Sequence, residues 1–263
     1  MSFGPNFYMW SGRRENYIAE HEFLVTQGRK KITSQFDDVD NLEAEANQYA
    51  DTLMQSIEGR LPPDRFDDGS IYEQAYEERI VFLLSLMELG NQFRLALIGA
   101  MYHQWEKTLR DWLTSRDCIA YWYAGQELPK RIWKSDFSEM HSFLQCAGLV
   151  KKSDNLDVLD ECRLVVNVFK HGLGDSFEEL KERKPEWLDP VNMRNEKAYV
   201  DYFDYADHSD LAVSDAVVSE FSEAIIQFWQ AIPEYSNVLD EDELPKRFQD
   251  AIKKDEKSLG KTK

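Results

Sequence analysis

Cysteine is scarce in this sequence and badly placed for cross-links. Cys118, Cys146 and Cys162 are the only three in 263 residues, an odd number, far apart, with no Cys-x-x-Cys pair. Neither a disulfide framework nor a zinc site is signalled, and a reducing cytoplasm is the expected compartment. The first ten residues lack a basic segment followed by an apolar stretch and a small-residue cleavage site, so no signal peptide is expected. Long apolar runs are missing too. Stretches such as Ile80 to Leu84 are interrupted by polar residues well before the roughly 20 residues a bilayer requires, so no membrane span is expected. The apolar–polar alternation of half-buried strands is nearly absent. There is no phosphate-binding glycine loop, His-Glu-x-x-His pair, Gly-x-Ser-x-Gly elbow or basic-aromatic nucleic-acid signature. No cofactor and no metal is expected.

What is present is a core-forming, acidic composition. Hydrophobic residues make up 43% of the chain and aromatics 13%, enough to fill a core without metal or disulfide staples. Acidic residues outnumber basic ones 49 to 31, for a formal charge of −18. That balance argues against a protein that coats nucleic acid through phosphate neutralisation, and it keeps a solvated surface soluble.

Helical signals run along almost the whole chain. A first helix is expected over Glu15 to Ser34, and a second from Asp40 to the glycine stop at Gly59. From Ser70 to Thr114, apolar residues recur at three- and four-residue spacings, from Ile80 and Leu83 through Ile98 and Trp105 to Trp112. This stretch is either one long helix or two antiparallel helices divided at Gly90-Asn91, where glycine lowers helix propensity by about 1 kcal/mol. An aromatic connector, Tyr121 to Trp133, reads as core lining. Helices follow from Ser135 to Gly148 and from Leu156 to His171. A short helix then starts at a Ser176/Glu179 capping box, and a last one, with core face Val217, Val218, Phe221, Ile225, Phe228 and Trp229, ends before Pro233. A short β-hairpin or irregular loop is expected near 198–213. The fold class is all-α, with residues 1–69 an N-terminal helical extension, 70–233 a helical bundle, and 234–263 a charged C-terminal tail whose last residues, Lys253 to Lys263, are expected to be mobile.

Two polar sets stand out. In the helix Leu156 to His171, whose apolar face is Leu159, Cys162, Val165, Val166 and Phe169, the residues Arg163, Asn167, Lys170 and His171 fall at i, i+4, i+7 and i+8. At about 100° per residue they share roughly a 100° arc. Cations near a helix C-terminus complement its dipole, so Lys170 and His171 also suit a plain helix end. Asn167, however, is neither a favoured helix former nor a core residue. On the long helix, Gly99, His103, Glu106 and Arg110 form a second set, in which Glu106 and Arg110 can pair and His103 and Glu106 can face the first set across a crevice. The isolated His21, His141 and His208 read as surface or packing residues.

The segment CRLVVNVFKHG, preceded by RLALIGAMYHQWEKTLRDWL, resembles bacterial HEPN-type helical domains, many of which act in toxin-antitoxin and phage-defence systems. The resemblance covers Tyr72 to Ala231. It implies a homodimer and, in catalytic members, metal-independent RNA cleavage by an Arg and a His near one helix, commonly with an Asn after the Arg. Arg163 corresponds to that arginine and His171 to that histidine, at a spacing one residue longer than the family pattern, and Asn167 does not directly follow Arg163. On this reading His171 moves the proton, Arg163 and Lys170 stabilise charge on phosphorus, and Asn167 orients phosphate or imidazole. The expected partners are then an RNA substrate and a second copy of the chain. The alternative expectation is a noncatalytic interaction module, a defence accessory, sensor or antitoxin-like partner that binds protein. A small-molecule enzyme with His103 and Glu106 in its pocket ranks last.

Overall fold

A computed structural model describes residues 7–58, 68–115, 125–151, 156–188, 206–236 and 241–258. The helical periodicity of the sequence is realised in nine α-helices among the described residues. They are α1 (Ser11–Lys31), α2 (Val39–Glu58), α3 (Asp68–Thr114), α4 (Glu127–Lys134), α5 (Phe137–Cys146), α6 (Asp157–His171), α7 (Asp175–Arg183), α8 (Asp215–Ala231) and α9 (Lys246–Ser258). Two two-residue strands, β1 (Phe7–Tyr8) and β2 (Tyr235–Ser236), pair antiparallel with Phe7 opposite Ser236. The protein is predominantly all-α. Of the expected hairpin region, residues 198–205 lie outside the described residues, and residues 206–213 hold a 3₁₀ turn at His208–Asp210 and no strand.

α3 is one continuous helix of 47 residues, about 70 Å long at 1.5 Å per residue. Gly90 and Asn91, which offered a dividing turn, stay inside it and serve packing instead. A Cβ on Gly90 would stand 2.7 Å from the Cβ of Phe36, so only glycine admits the 3₁₀ turn Thr33–Phe36 this close to the helix. Asn91 is buried. Its Oδ1 accepts from the Val213 N–H at 3.1 Å, and its Nδ2 donates to the Leu211 carbonyl at 2.8 Å. One side chain thereby satisfies two backbone groups of the segment leading into α8. By length and composition α3 is also apolar enough to cross a membrane, with 22% of its most apolar window buried.

The core lies where the C-terminal half of α3 meets α6 and α8. Ile98, Met101, Leu109 and Trp112 come from α3, Cys162, Val165 and Val166 from α6, and Val218, Phe221, Ile225 and Trp229 from α8. Edge-on aromatic pairs join them, Trp105 with Phe228 at 5.2 Å and Trp112 with Trp229 at 6.4 Å. Such pairs add about 0.5–1.5 kcal/mol beyond area burial. The α8 core face is the one the sequence periodicity names. In α6 the burial is wider than one stripe, because Leu164 and Val168 are also covered, whereas Phe169 is exposed.

The outer helices are tied down by long polar side chains. Arg14 donates to the Ile232 carbonyl at 2.7 Å, and Arg29 donates to the Asp215 carbonyl at 2.6 Å, so α1 is strapped along α8. Residues 246–258, expected as part of a charged tail, form α9. Phe248 and Ile252, four residues apart, are buried, and Phe248 stacks on Phe143 at 5.1 Å. α4 has no cap of its own. Asp255 of α9 supplies one, accepting from the backbone N–H groups of Gln126, Glu127 and Leu128 at 2.9–3.2 Å. A carboxylate against the free N–H groups of a helix start is favoured by both hydrogen bonding and the helix dipole.

Candidate functional site

α6 begins with Asp157 and Asp160 in its first turn and ends with Lys170 and His171 in its last, the charge order that the helix dipole favours. Gly172 terminates it at φ 71°, in the left-handed region, and a Cβ there would meet the His208 ring at 3.2 Å. Lys170 and His171 are exposed at this end.

Asn167 and Arg163 lie one and two turns earlier and open onto a polar cavity of about 620 Å³, lined also by Tyr102, His103, Glu106, Asp136, His141, Asp157, Asp160 and Glu179. The two polar sets of the sequence thus meet in part. His103 and Glu106 share the cavity with Arg163 and Asn167, whereas Lys170, His171 and Arg110 are not among its lining residues.

Arg163 is held by carboxylates. Its Nε donates to Asp160 Oδ1 at 2.7 Å, its Nη2 stands 3.5 Å from Glu179 Oε2, and the guanidinium lies over the Phe137 ring at 5.8 Å. Asp160 accepts in turn from Arg183 at 2.6 Å, and Arg183 reaches Glu179 at 3.1 Å. Lys184 pairs with the buried Glu161 at 3.2 Å. This network joins α6 to α7. Asn167 donates to Ser176 Oγ at 3.2 Å, so the amide that looked unplaced on a valine-rich helix fastens the start of α7.

On the opposite wall, Glu106 Oε1 accepts from Arg110 at 2.7 Å, and its Oε2 lies 3.8 Å from His103 Nδ1. Arg110 is a structural anchor. It is buried and donates to the Ile132 carbonyl and, at 2.9 Å, to the Ser135 carbonyl, fixing the α4–α5 junction to α3. Burial, reinforced by the nearby Glu106 charge, pushes the Tyr102 phenol well above its ordinary pKa, so it stays protonated. Burial lowers the pKa of His141, against the pull of Asp157 and Asp160. Its Nε2 lies 3.0 Å from Gln145 Nε2.

No family model, curated protein or solved structure matches the chain. Its chemistry is therefore read from the cavity itself. The lining holds five carboxylates, Glu106, Asp136, Asp157, Asp160 and Glu179, against the one guanidinium of Arg163. A phosphate entering it meets net repulsion. No cluster of three or more His, Cys, Asp or Glu side chains suited to a metal ion occurs among the described residues. Sequence reasoning missed His141, Asp160 and Glu179. The pairing of Asp160 with Arg163 was legible from its i, i+3 spacing, while His141 reaches the cavity from α5, whose Phe137 ring lies under the Arg163 guanidinium. A second, apolar cavity of about 870 Å³ lies elsewhere, between α1 and α3, lined by Phe23, Leu24, Ile32, Phe93, Leu97 and neighbours. It holds none of the predicted site residues.

Proposed function

We propose that the chain is a noncatalytic helical interaction module, a cytoplasmic protein that acts through contacts with a protein partner. The observation that carries this reading is the engagement of Arg163 by Asp160 and Glu179 inside an acidic cavity, with Lys170 and His171 outside its lining. A guanidinium committed to two carboxylates is poorly poised to stabilise charge on a transferring phosphate. The polar stripe instead does structural work, closing α6 and joining it to α7. The resemblance to HEPN-type domains fits an accessory, sensor or antitoxin-like partner in bacterial defence.

A second reading, the RNA-cleaving homodimer, is favoured by one observation: Arg163, Asn167 and His103 share a cavity with the half-buried His141, so two imidazoles are at hand for proton transfer. The two readings separate in one assay. Labelled RNA is incubated in EDTA with the wild type, Arg163→Ala, His141→Ala and His171→Ala, with a mock purification as control. The module reading expects no cleavage above the mock. EDTA-resistant cleavage by the wild type that disappears in Arg163→Ala and in either histidine variant overturns it.

A further inference from the structure

α3 carries an apolar face along most of its length, and the fold covers only part of it. In its C-terminal half, Ile98, Met101, Tyr102, Trp105 and Leu109 are buried in the core. At about 100° per residue, Tyr72, Tyr76, Ile80, Leu83, Leu84 and Met87 fall on the same side of the helix. There Tyr72 and Tyr76 are each 60% exposed, and Ile80 and Leu84 each 37%. α2 packs on a neighbouring face, where Ile71 and Ala75 are buried and Phe82 stacks on Tyr49 at 4.4 Å. The result is a two-helix arm whose exposed apolar residues, Tyr72 to Leu84, form a stripe about 18 Å long, a little over three helical turns. An uncovered stripe of this extent marks an interaction surface.

The charge of the arm says what would cover it. α2 and α3 as far as Leu89 contain ten carboxylates and one cation, Arg79, and Arg79 donates to Asn47 at 2.5 Å. Glu73 and Glu77 are exposed along one edge of the stripe. A second copy would set like charge against like, and so would an anionic lipid surface. We propose that this stripe is the docking site for a basic amphipathic helix of a protein partner. Its apolar residues, three and four apart, lie along Tyr76, Ile80 and Leu84, and its lysines or arginines meet Glu73 and Glu77. The proposal rests on the interaction-module reading and adds the chemistry of the partner.

The test uses the full chain and a fluorescent peptide of about 18 residues, long enough to span the stripe as a helix, with a leucine face flanked by lysines. Two control peptides accompany it, a scrambled one of the same composition and one with glutamate in place of lysine. At about 0.15 M salt, where long-range attraction is screened, anisotropy should give binding of the amphipathic peptide at least about tenfold tighter than of the scrambled one. Tyr76→Ala combined with Ile80→Ala, both exposed sites, should weaken it about tenfold with the helical circular dichroism unchanged. Glu73→Lys with Glu77→Lys should shift preference toward the glutamate peptide. Equal binding of amphipathic and scrambled peptides, or indifference to the Tyr76/Ile80 variant, overturns the proposal. So does a wild-type dimer that this variant dissociates in light scattering, which assigns the stripe to a second copy. Variant-sensitive binding to phosphatidylcholine vesicles assigns it to lipid and overturns it equally. RNA cleavage refutes the underlying reading whatever the peptide does, whereas failed docking without cleavage refutes the docking site alone.

Discussion

Replacing Asn91 by alanine removes a side chain whose two polar atoms each satisfy a buried backbone group, the Leu211 carbonyl and the Val213 N–H. Leu211 is 3% exposed and Val213 6%, so water has little access to either orphan. Each unsatisfied buried group costs about 1–3 kcal/mol. Against this, alanine gains up to about 0.7 kcal/mol of helix propensity over asparagine. The expected net loss is about 1–5 kcal/mol, measured as a drop in the urea midpoint at unchanged slope. The neighbouring Gln92→Ala is the control. Gln92 is exposed and its side chain donates to Glu88 on the same helix, so its loss should lie within about 0.5 kcal/mol of zero. If Asn91→Ala is no worse than Gln92→Ala, Asn91 does not hold the segment before α8, and the reason given for the continuity of α3 fails.

Asp255→Ala should detach α9 from α4, because three N–H groups lose a charged acceptor in a buried setting. A loss of about 2–4 kcal/mol is expected, together with faster proteolysis at the C-terminal end. Unchanged proteolysis and stability would refute the capping role. His21 is buried against Ser222 Oγ at 3.0 Å, and burial lowers its pKa. The unfolded chain therefore binds the proton more readily, so stability is full above the ordinary histidine pKa of about 6.5 and is lost as pH falls below it. Between about pH 7.5 and 5.5, His21→Gln should lose less stability than the wild type; parallel curves would refute the assignment.

Much of the fold was legible because core helices repeat apolar residues at three and four. Val217 to Trp229 is read correctly to the residue. Gly90-Asn91 was not decidable locally, since its reasons, Phe36 and the 211–213 segment, are distant in sequence. The C-terminal helix was hidden for a similar cause. Its charged composition reads as solvated, and what holds it, Phe248 on Phe143 and Asp255 on the N–H groups of residues 126–128, lies far away in sequence. At the candidate site the periodicity correctly set Arg163 near Asn167. It could not reveal that Glu179 and Arg183, on the next helix, would turn the arginine into a bridge between helices. Nor could it show that the helix end would carry Lys170 and His171 outside the cavity.

We propose that Arg163 serves as a structural ion-pair partner of Asp160 and Glu179, not as a phosphate ligand. The most direct test is the affinity of the wild type and Arg163→Gln for labelled single-stranded RNA as salt is varied. Weak binding with little salt dependence, the same in both proteins, is expected, together with lower stability of the variant. Tight binding to the wild type that falls steeply with salt and is lost in Arg163→Gln, with the fold intact, would contradict it.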